Sequence, residues 1–265
     1  MSVAVCHQKL VRDRKAQEVY FPVDLFDVEP TVDISVEHSE VREVSYGEAA
    51  SIILDYEWLG TMPAQLYKAV GLFLGGKLSA VECFSATRPA GEYVVEGKPA
   101  VCLARGACAH WCPPWAASRL ISKSLSFLDP ERFWFCVAYS DTDAGEIGTV
   151  YQASNWTCLG PVSRGNKYWV DPAGKRYDHE RPRSVARSRD PNFKTAKRID
   201  PKYVEEVKRE MVDAGWKHVE GGVRHRYATP VSRSRHQRRA RQALLDLVRC
   251  DYPTRAALAK EDTDE

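Results

Sequence analysis

No run of about 18 apolar residues occurs anywhere in this chain, which argues against a membrane-spanning helix. No apolar stretch follows the basic cluster Lys9, Arg12, Arg14 and Lys15, so a secretory signal is not expected either. A cytosolic, reducing compartment is the expectation, with the eight cysteines as buried thiols or ligands rather than disulfides. No C-x2-C pair is present, which weakens any case for a zinc module. The glycine fingerprint of dinucleotide folds and the phosphate loop of NTPases are both missing. There is no internal repeat.

What is present is a soluble, globular composition, with 44% hydrophobic and 28% charged residues over 265 positions. That length suits one large domain or two small ones. The net charge of +2 conceals an asymmetry. Residues 1–160 hold 13 Lys/Arg against 20 Asp/Glu, a net of −7. Residues 161–241 hold 22 against 10, a net of +12, and the tail 242–265 returns to −3. A basic block of this kind is the footprint of a polyanion such as nucleic acid, or a solvated surface laced with ion pairs.

Residues 1–30 read as an N-terminal arm. Residues 32–46, alternating at Val32, Ile34 and Val36, predict a strand, and Gly47 to Gly60 a helix. The segment 66–84 predicts two strands turning at Gly75-Gly76. Val101 to Arg105 is a short strand, Trp115 to Leu128 a helix, and Phe133 to Tyr139 a central strand. A short helix, 149–155, and a strand, 156–159, follow. Residues 171–200, rich in Pro, Arg, Asp and Ser, predict a basic loop without regular structure. Pro201 to Ala214 is a helix, 216–227 a hairpin around Gly221-Gly222, and 234–249 a final helix. The order is that of a mixed α/β domain with a basic C-terminal elaboration. The expected organisation is an arm (1–30), a catalytic domain (31–230, including the loop 171–200), and a basic helix with an acidic tail (231–265).

Several segments carry candidate chemistry, each with a plainer alternative. The strand-to-helix turn from Ala104-Arg105-Gly106 to Ala116-Ala117-Ser118 exposes backbone N–H groups at a positive helix end. That arrangement suits a phosphate, or is an ordinary tight junction. Cys102, Cys108, His110 and Cys112 are conceivable zinc ligands, but at a spacing that favours buried thiols. Asp141, following the central strand, is placed for a base, and Tyr151 for an acid; Asp and Gly also make turns unaided. Glu57 is a candidate for a metal or an amine, or is simply exposed. Trp58, Trp111, Trp115 and Trp156 either stack on a base or pack the core. Arg235, Arg238, Arg239 and Arg241 cluster at the start of the last helix as DNA contacts.

Taken together, YEWLGTMP (56–63), ARGACAHWCPPWAASRLISKSL (104–125), AYSDTDAGEIGTVYQASNWTCLG (138–160) and VRHRYATP (223–230) resemble a known family. They are similar to the bacteriophage Mom DNA-modification proteins, whose fold resembles the GCN5-related N-acetyltransferases. The resemblance spans roughly residues 45–230 and is most specific at GTVYQASNW. It implies conversion of adenine in double-stranded DNA to N6-carbamoylmethyladenine in the host cytoplasm. The bulky group would block the major-groove pattern read by restriction enzymes. It assigns the functional positions to Arg105, Ser118, Asp141 and Tyr151. An acyl-CoA donor such as acetyl-CoA would lie along Arg105, Gly106, Ala107, Ala117 and Ser118.

Two departures from the family pattern stand out. Where relatives carry a His-Tyr pair ahead of the glycine matching Gly60, this chain has Glu57-Trp58. If the family binds iron there, Glu57 is the replacement ligand. The acetyltransferase loop Q/R-x-x-G-x-G/A does not follow Arg105 cleanly. Two other functions stay open: an N-acetyltransferase for a small-molecule or protein amine, and a non-enzymatic DNA-binding protein. No membrane partner is expected, and a homodimer is open.

Overall fold

The structure, a computed structural model, describes residues 6–19, 35–88, 91–162, 167–174, 176–179, 181–189 and 199–255. Its elements are α1 (His7–Val19), β1 (Ser39–Glu43), α2 (Tyr46–Tyr56), β2 (Lys68–Leu74), β3 (Lys77–Ser85), β4 (Thr87–Arg88) and β5 (Gly91–Val95). Then come β6 (Lys98–Cys108), α3 (Ala116–Ser124), β7 (Phe135–Asp141), α4 (Thr149–Ala153) and β8 (Thr157–Val162). The remainder is β9 (Lys167–Val170), β10 (Arg176–Asp178), α5 (Arg181–Arg189), α6 (Pro201–Asp213), β11 (Lys217–Glu220), β12 (Arg224–Pro230) and α7 (Arg235–Asp246). Among the described residues no helix is long and apolar enough to cross a membrane.

The chain divides into two compact units, residues 1–162 with 224–265, and residues 163–223. The sequence pointed instead to one catalytic domain over 31–230. In the first unit the main path of the sheet runs β1-β2-β3-β6-β7-β12-β8, a mixed sheet flanked by helices, as the fold class expected. Apolar pattern fixes the strands: six of the seven residues of β2 and seven of the nine of β3 are buried, so these strands are covered on both faces. Gly75 and Gly76, both at positive φ, make the turn between them. Ser45 caps α2 through a capping box with Glu48, and Ala49, Ile52, Ile53 and Tyr56 form its buried stripe.

The pairing of β6 with β7 positions the site. These parallel strands share register only from Ala100/Phe135 to Cys102/Val137. Beyond that, β6 follows β3 to Cys108 while β7 follows β12 to Asp141. The sheet therefore parts between them at their carboxyl ends, leaving facing backbone edges without ladder partners across the gap. A register shift opposite Cys83 and Phe84 leaves Ala104 as the extra residue of a bulge at the start of the gap.

Several sequence expectations need correction. The predicted hairpin over 216–227 does not form. Strand β12 lies between β7 and β8, while β11 pairs with β9. The apolar Tyr227, Ala228 and Val231 demand a central, buried slot that a surface ribbon lacks. The predicted loop 171–200 contains β10 and α5, because Pro182, Val185 and Ala186 give the latter an inward face; residues 190–198 lie outside those described. In the N-terminal arm, α1 is docked: the Gln8 amide donates to Tyr56 O, and Arg12 Nη2 to Cys112 O at 3.0 Å. The rest of the arm, 1–5 and 20–30, lies outside the described residues, as do 32–34 of the first predicted strand and the acidic tail from 256 on.

In the second unit β10-β9-β11 form a three-stranded sheet. Helices α5 and α6 complete it around Trp169, Ala186, Val204, Val207 and Met211. Asp200 caps α6, Pro201 starts it, and Arg189 pairs with Glu210 across the two helices.

Candidate functional site

Asp141 is the last residue of β7, at the mouth of the gap. One carboxylate oxygen accepts from the Asp143 N–H at 3.1 Å, and the other lies 3.9 Å from Arg224 Nε on β12. The following turn returns through Gly145 and Gly148, both at positive φ. A Cβ on Gly148 would sit 2.4 Å from the Tyr227 ring, so only glycine brings α4 this close. Tyr151 on α4 thereby packs against the rings of Trp156 and Tyr227, with centroids 5.2 and 5.3 Å apart. Burial, and next to it Glu146, pushes the Tyr151 hydroxyl well above the ordinary tyrosine range. It stays protonated, so it can serve as a donor.

Glu146, which the sequence did not single out, sits in electrostatic range of both groups. Burial first, then Glu57 and Asp141, raises its carboxyl to about 7. It also accepts from Cys6 Sγ at 3.9 Å, so the residue leading into α1 reaches the site. A glutamate between two turn glycines gives no sequence signal beyond turn chemistry.

Arg105 is held by the loop that follows α2. Its Nε and Nη2 donate to the Thr61 carbonyl and hydroxyl at 3.0 and 3.3 Å, and its Nη1 to Ala104 O at 2.7 Å. Glu57 lies 3.9 Å away. These three bonds tie the loop after α2 to β6 and use three of the five guanidinium N–H groups. Cys83 opposes Arg105 and Glu82 opposes Gly106, so Arg105 and Glu82 lie on opposite faces. Arg105 meets the end of α2, whereas Glu82 accepts from Ser124 of α3 at 2.6 Å.

The start of α3 does suit an anion. Trp115 at its N-cap makes no side-chain capping bond, and Ala117 and Ser118 stand in the first turn. The Ser118 hydroxyl turns back to Trp115 O at 3.0 Å. Gly106 is exposed, while Ala107 is buried against the core. Of the first-turn N–H groups of α3, that of Ala116 donates to Pro113 O at 3.1 Å.

No metal role follows for Glu57. Its Oε2 accepts from the N–H groups of Leu59 and Gly60 at 2.9 and 3.0 Å, closing its own loop. Burial raises its pKa, and Arg105 opposes the rise. Among the described residues no three His, Cys, Asp or Glu side chains gather to hold a metal. Within the cysteine cluster, Cys112 Sγ donates to Ser79 O at 2.9 Å and His110 Nδ1 meets the Tyr56 hydroxyl at 3.1 Å. Cys102 packs in a separate core cluster. Of the tryptophans, Trp156 is core, and Trp111 donates to Ser79 Oγ at 2.9 Å. Trp58 packs edge-on to His7.

On α7, Arg235, Arg238 and Arg239 are exposed, but Arg241 is buried. Its guanidinium donates to Phe133 O, Pro130 O and Val231 O, so the expected DNA contact is a structural tie. The reason is helical spacing, since Arg241 lies four residues before buried Leu245.

Buried Glu82 yields a stability test. Burial lifts its carboxyl from 4.5 to about 8 despite the Ser124 hydrogen bond. The folded state keeps a proton that the unfolded chain releases, so this group opposes folding increasingly as pH rises from about 4.5 to 8. Glu82→Gln removes that dependence. Relative to its standing at pH 5, the variant should gain on wild type by on the order of 3 kcal/mol at pH 9. Urea unfolding at both pH values measures it, and an equal offset at the two would exclude it.

A family model described as the Mom protein family matches residues 38–253. No curated protein matches the chain. Solved structures that resemble it include the ribosomal-protein-S18-alanine N-acetyltransferase from Escherichia coli, at 10% identity and TM-score 0.39, covering 74% of this chain and 96% of that one. Another is an N-acetyltransferase from Staphylococcus aureus Mu50, at 9% and 0.38, covering 73% and 97%. A third is a GNAT family acetyltransferase from Bacillus cereus ATCC 10987, at 11% and 0.39, covering 74% and 99%. Superpositions this loose carry nothing about activity.

Proposed function

Because the chain belongs to the Mom protein family, we propose that it is a phage DNA-modification enzyme. It converts adenine in double-stranded DNA to N6-carbamoylmethyladenine in the host cytoplasm, which shields phage DNA from restriction. The observation that carries this reading is the pair of proton-handling groups, Asp141 and Tyr151, built around Glu146 where β6 and β7 part. Ligands in open α/β sheets lie at the carboxyl ends of strands.

The adenine N6 amine is a poor nucleophile, because its lone pair is delocalised into the ring. It needs to lose a proton as the new bond to N6 forms. Asp141 accepts that proton. The Asp143 N–H and Arg224 hold its carboxylate in place. Tyr151 keeps its proton and donates it to the departing group. Gly106 and the Ala116–Ser118 turn would hold the phosphate-bearing part of an acyl-CoA-like donor whose leaving group sits on the methylene carbon, so that N6–CH2 forms as that carbon's bond to the leaving group breaks; attack on a thioester carbonyl would give only an N6-acyl adenine. The target amine lies inside a duplex, so the adenine is flipped out to reach it. Exposed Arg235, Arg238 and Arg239 contact the DNA backbone.

The test is nucleoside mass spectrometry on DNA from a bacterial host that expresses the protein. A deoxyadenosine heavier by one carbamoylmethyl group is expected. Unmodified adenine from a folded, DNA-binding protein would overturn the reading.

A further inference from the structure

The unit formed by residues 163–223 carries a cleft of about 530 Å³ that the proposed chemistry does not use. One wall is the small sheet, with Lys167 and Trp169 of β9 and His218 of β11. The other is α6, with Lys208 and Arg209; His179 borders it after β10. That volume suits a nucleotide-sized group.

Three observations give the cleft its chemistry. Five of its lining side chains are Lys, Arg or His, against one acid, Asp213. Lys167 and Lys208 are paired to Glu220 and Glu205, while Arg209 has no ion-pair partner among the described residues. Most telling is Trp169. It is 4% exposed, its ring packs 4.9 Å from that of His218, and its indole N–H is buried with no acceptor among the described residues. A buried donor left unsatisfied is costly unless a ligand supplies the acceptor. An indole nitrogen can only donate, so the missing partner is an acceptor. Because five basic side chains line the same cleft, an anionic oxygen entering it is the acceptor that fits. The unit as a whole has 15 Lys/Arg against 10 Asp/Glu, which favours a polyanion over an isolated anion.

We propose that this cleft is a phosphate-binding site that seats the sugar–phosphate backbone of one strand of the DNA substrate. The identity of the ligand, though not the site, rests on the DNA-modification reading. Trp169 donates to a phosphate oxygen, Arg209 and Lys208 neutralise it, and the contact carries no base information, so it fixes register only.

The test uses the full chain and a fluorescein-labelled 30-bp duplex, with anisotropy followed across about 50–300 mM salt. Lys208→Glu with Arg209→Glu leaves the buried stripe of α6, Val204, Val207 and Met211, untouched. It should weaken binding at least about tenfold and lower the log–log salt slope by about 2. Trp169→Phe removes the N–H donor together with part of a buried ring, so it is read only in protein that keeps its folded circular-dichroism spectrum, and there it should weaken binding severalfold with the slope nearly unchanged. Wild-type affinity and slope in both variants would overturn the inference, as would a wild-type protein that binds no duplex. Equal competition by inorganic phosphate or a mononucleotide, at matched phosphate concentration, would overturn the assignment to a polymer backbone. The readout needs no chemistry. A protein that binds DNA through the cleft yet leaves adenine unmodified keeps the inference and loses the proposed reaction. Modification by variants with unchanged affinity does the reverse.

Discussion

Asp141→Asn should lower adenine modification by about 10²- to 10⁴-fold in a protein that remains folded. Asparagine keeps the size of the side chain and can still accept from the Asp143 N–H, so the turn after β7 persists. What it loses is the ability to take a proton from N6. Tyr151→Phe should cost less, about 10²-fold. The ring still packs against Trp156 and Tyr227, and only the donated proton is gone. The two variants separate by substrate dependence. If DNA binding is untouched, anisotropy gives wild-type affinity while single-turnover modification falls. Full-rate modification by either variant would remove that residue from the mechanism. Full rate in both would leave the parted strands without a role in proton transfer.

Arg241→Ala carries the second large expectation, a loss of about 3 kcal/mol in stability. Three carbonyl oxygens, of Phe133, Pro130 and Val231, lose their donor at once in a buried place. The guanidinium also stacks over Trp134 at 4.9 Å, so packing is lost too. The melting temperature should fall by roughly 6–12 °C for a chain of this size. Arg238→Ala, on the exposed side of the same helix, should leave stability within about 0.5 kcal/mol and weaken DNA binding instead. Calorimetry on the two variants decides it. Equal melting temperatures would mean that Arg241 does not hold the turn before β7 to α7.

How much of this was legible in the sequence depended on whether the signal was local. The β2–β3 pair could be read because two apolar runs flank Gly75-Gly76. The α3 stripe, Leu120 and Ile121, could be read from helical spacing. Strand β7 could be read as central from its unbroken apolar run, although the identity of its neighbours could not. The hairpin at Gly221-Gly222 failed because a good turn signal says nothing about which strand a longer-range partner will claim. Helix α5 was hidden by its charge, since the count of arginines swamps the three inward residues Pro182, Val185 and Ala186. Asp141 and Tyr151 were visible as residue types beside turn glycines. Glu146 and Glu82 were not, because only burial by distant segments gives them their unusual protonation. Arg105 was visible as a residue type, but the face it serves was not, because β-strand alternation altered by a one-residue bulge decides it.

The register joining β8 to β12 bears on how the molecule assembles. Val162 and Arg224 are cross-strand partners, so residues 163–223 form a folded excursion that leaves and re-enters at one rung of a ladder. An unstructured excursion of that length would charge the ladder a closure entropy roughly 3 kcal/mol above that of a two-residue turn. Inside the excursion, Lys167 and Glu220 are themselves partners, a second rung close to its own ends. Once that rung forms, the open span shrinks to a few residues on each side, and most of the entropic charge disappears. Folding of the excursion and closing of the main sheet are therefore thermodynamically linked through chain connectivity alone. A ligand that stabilises one should make the other harder to melt.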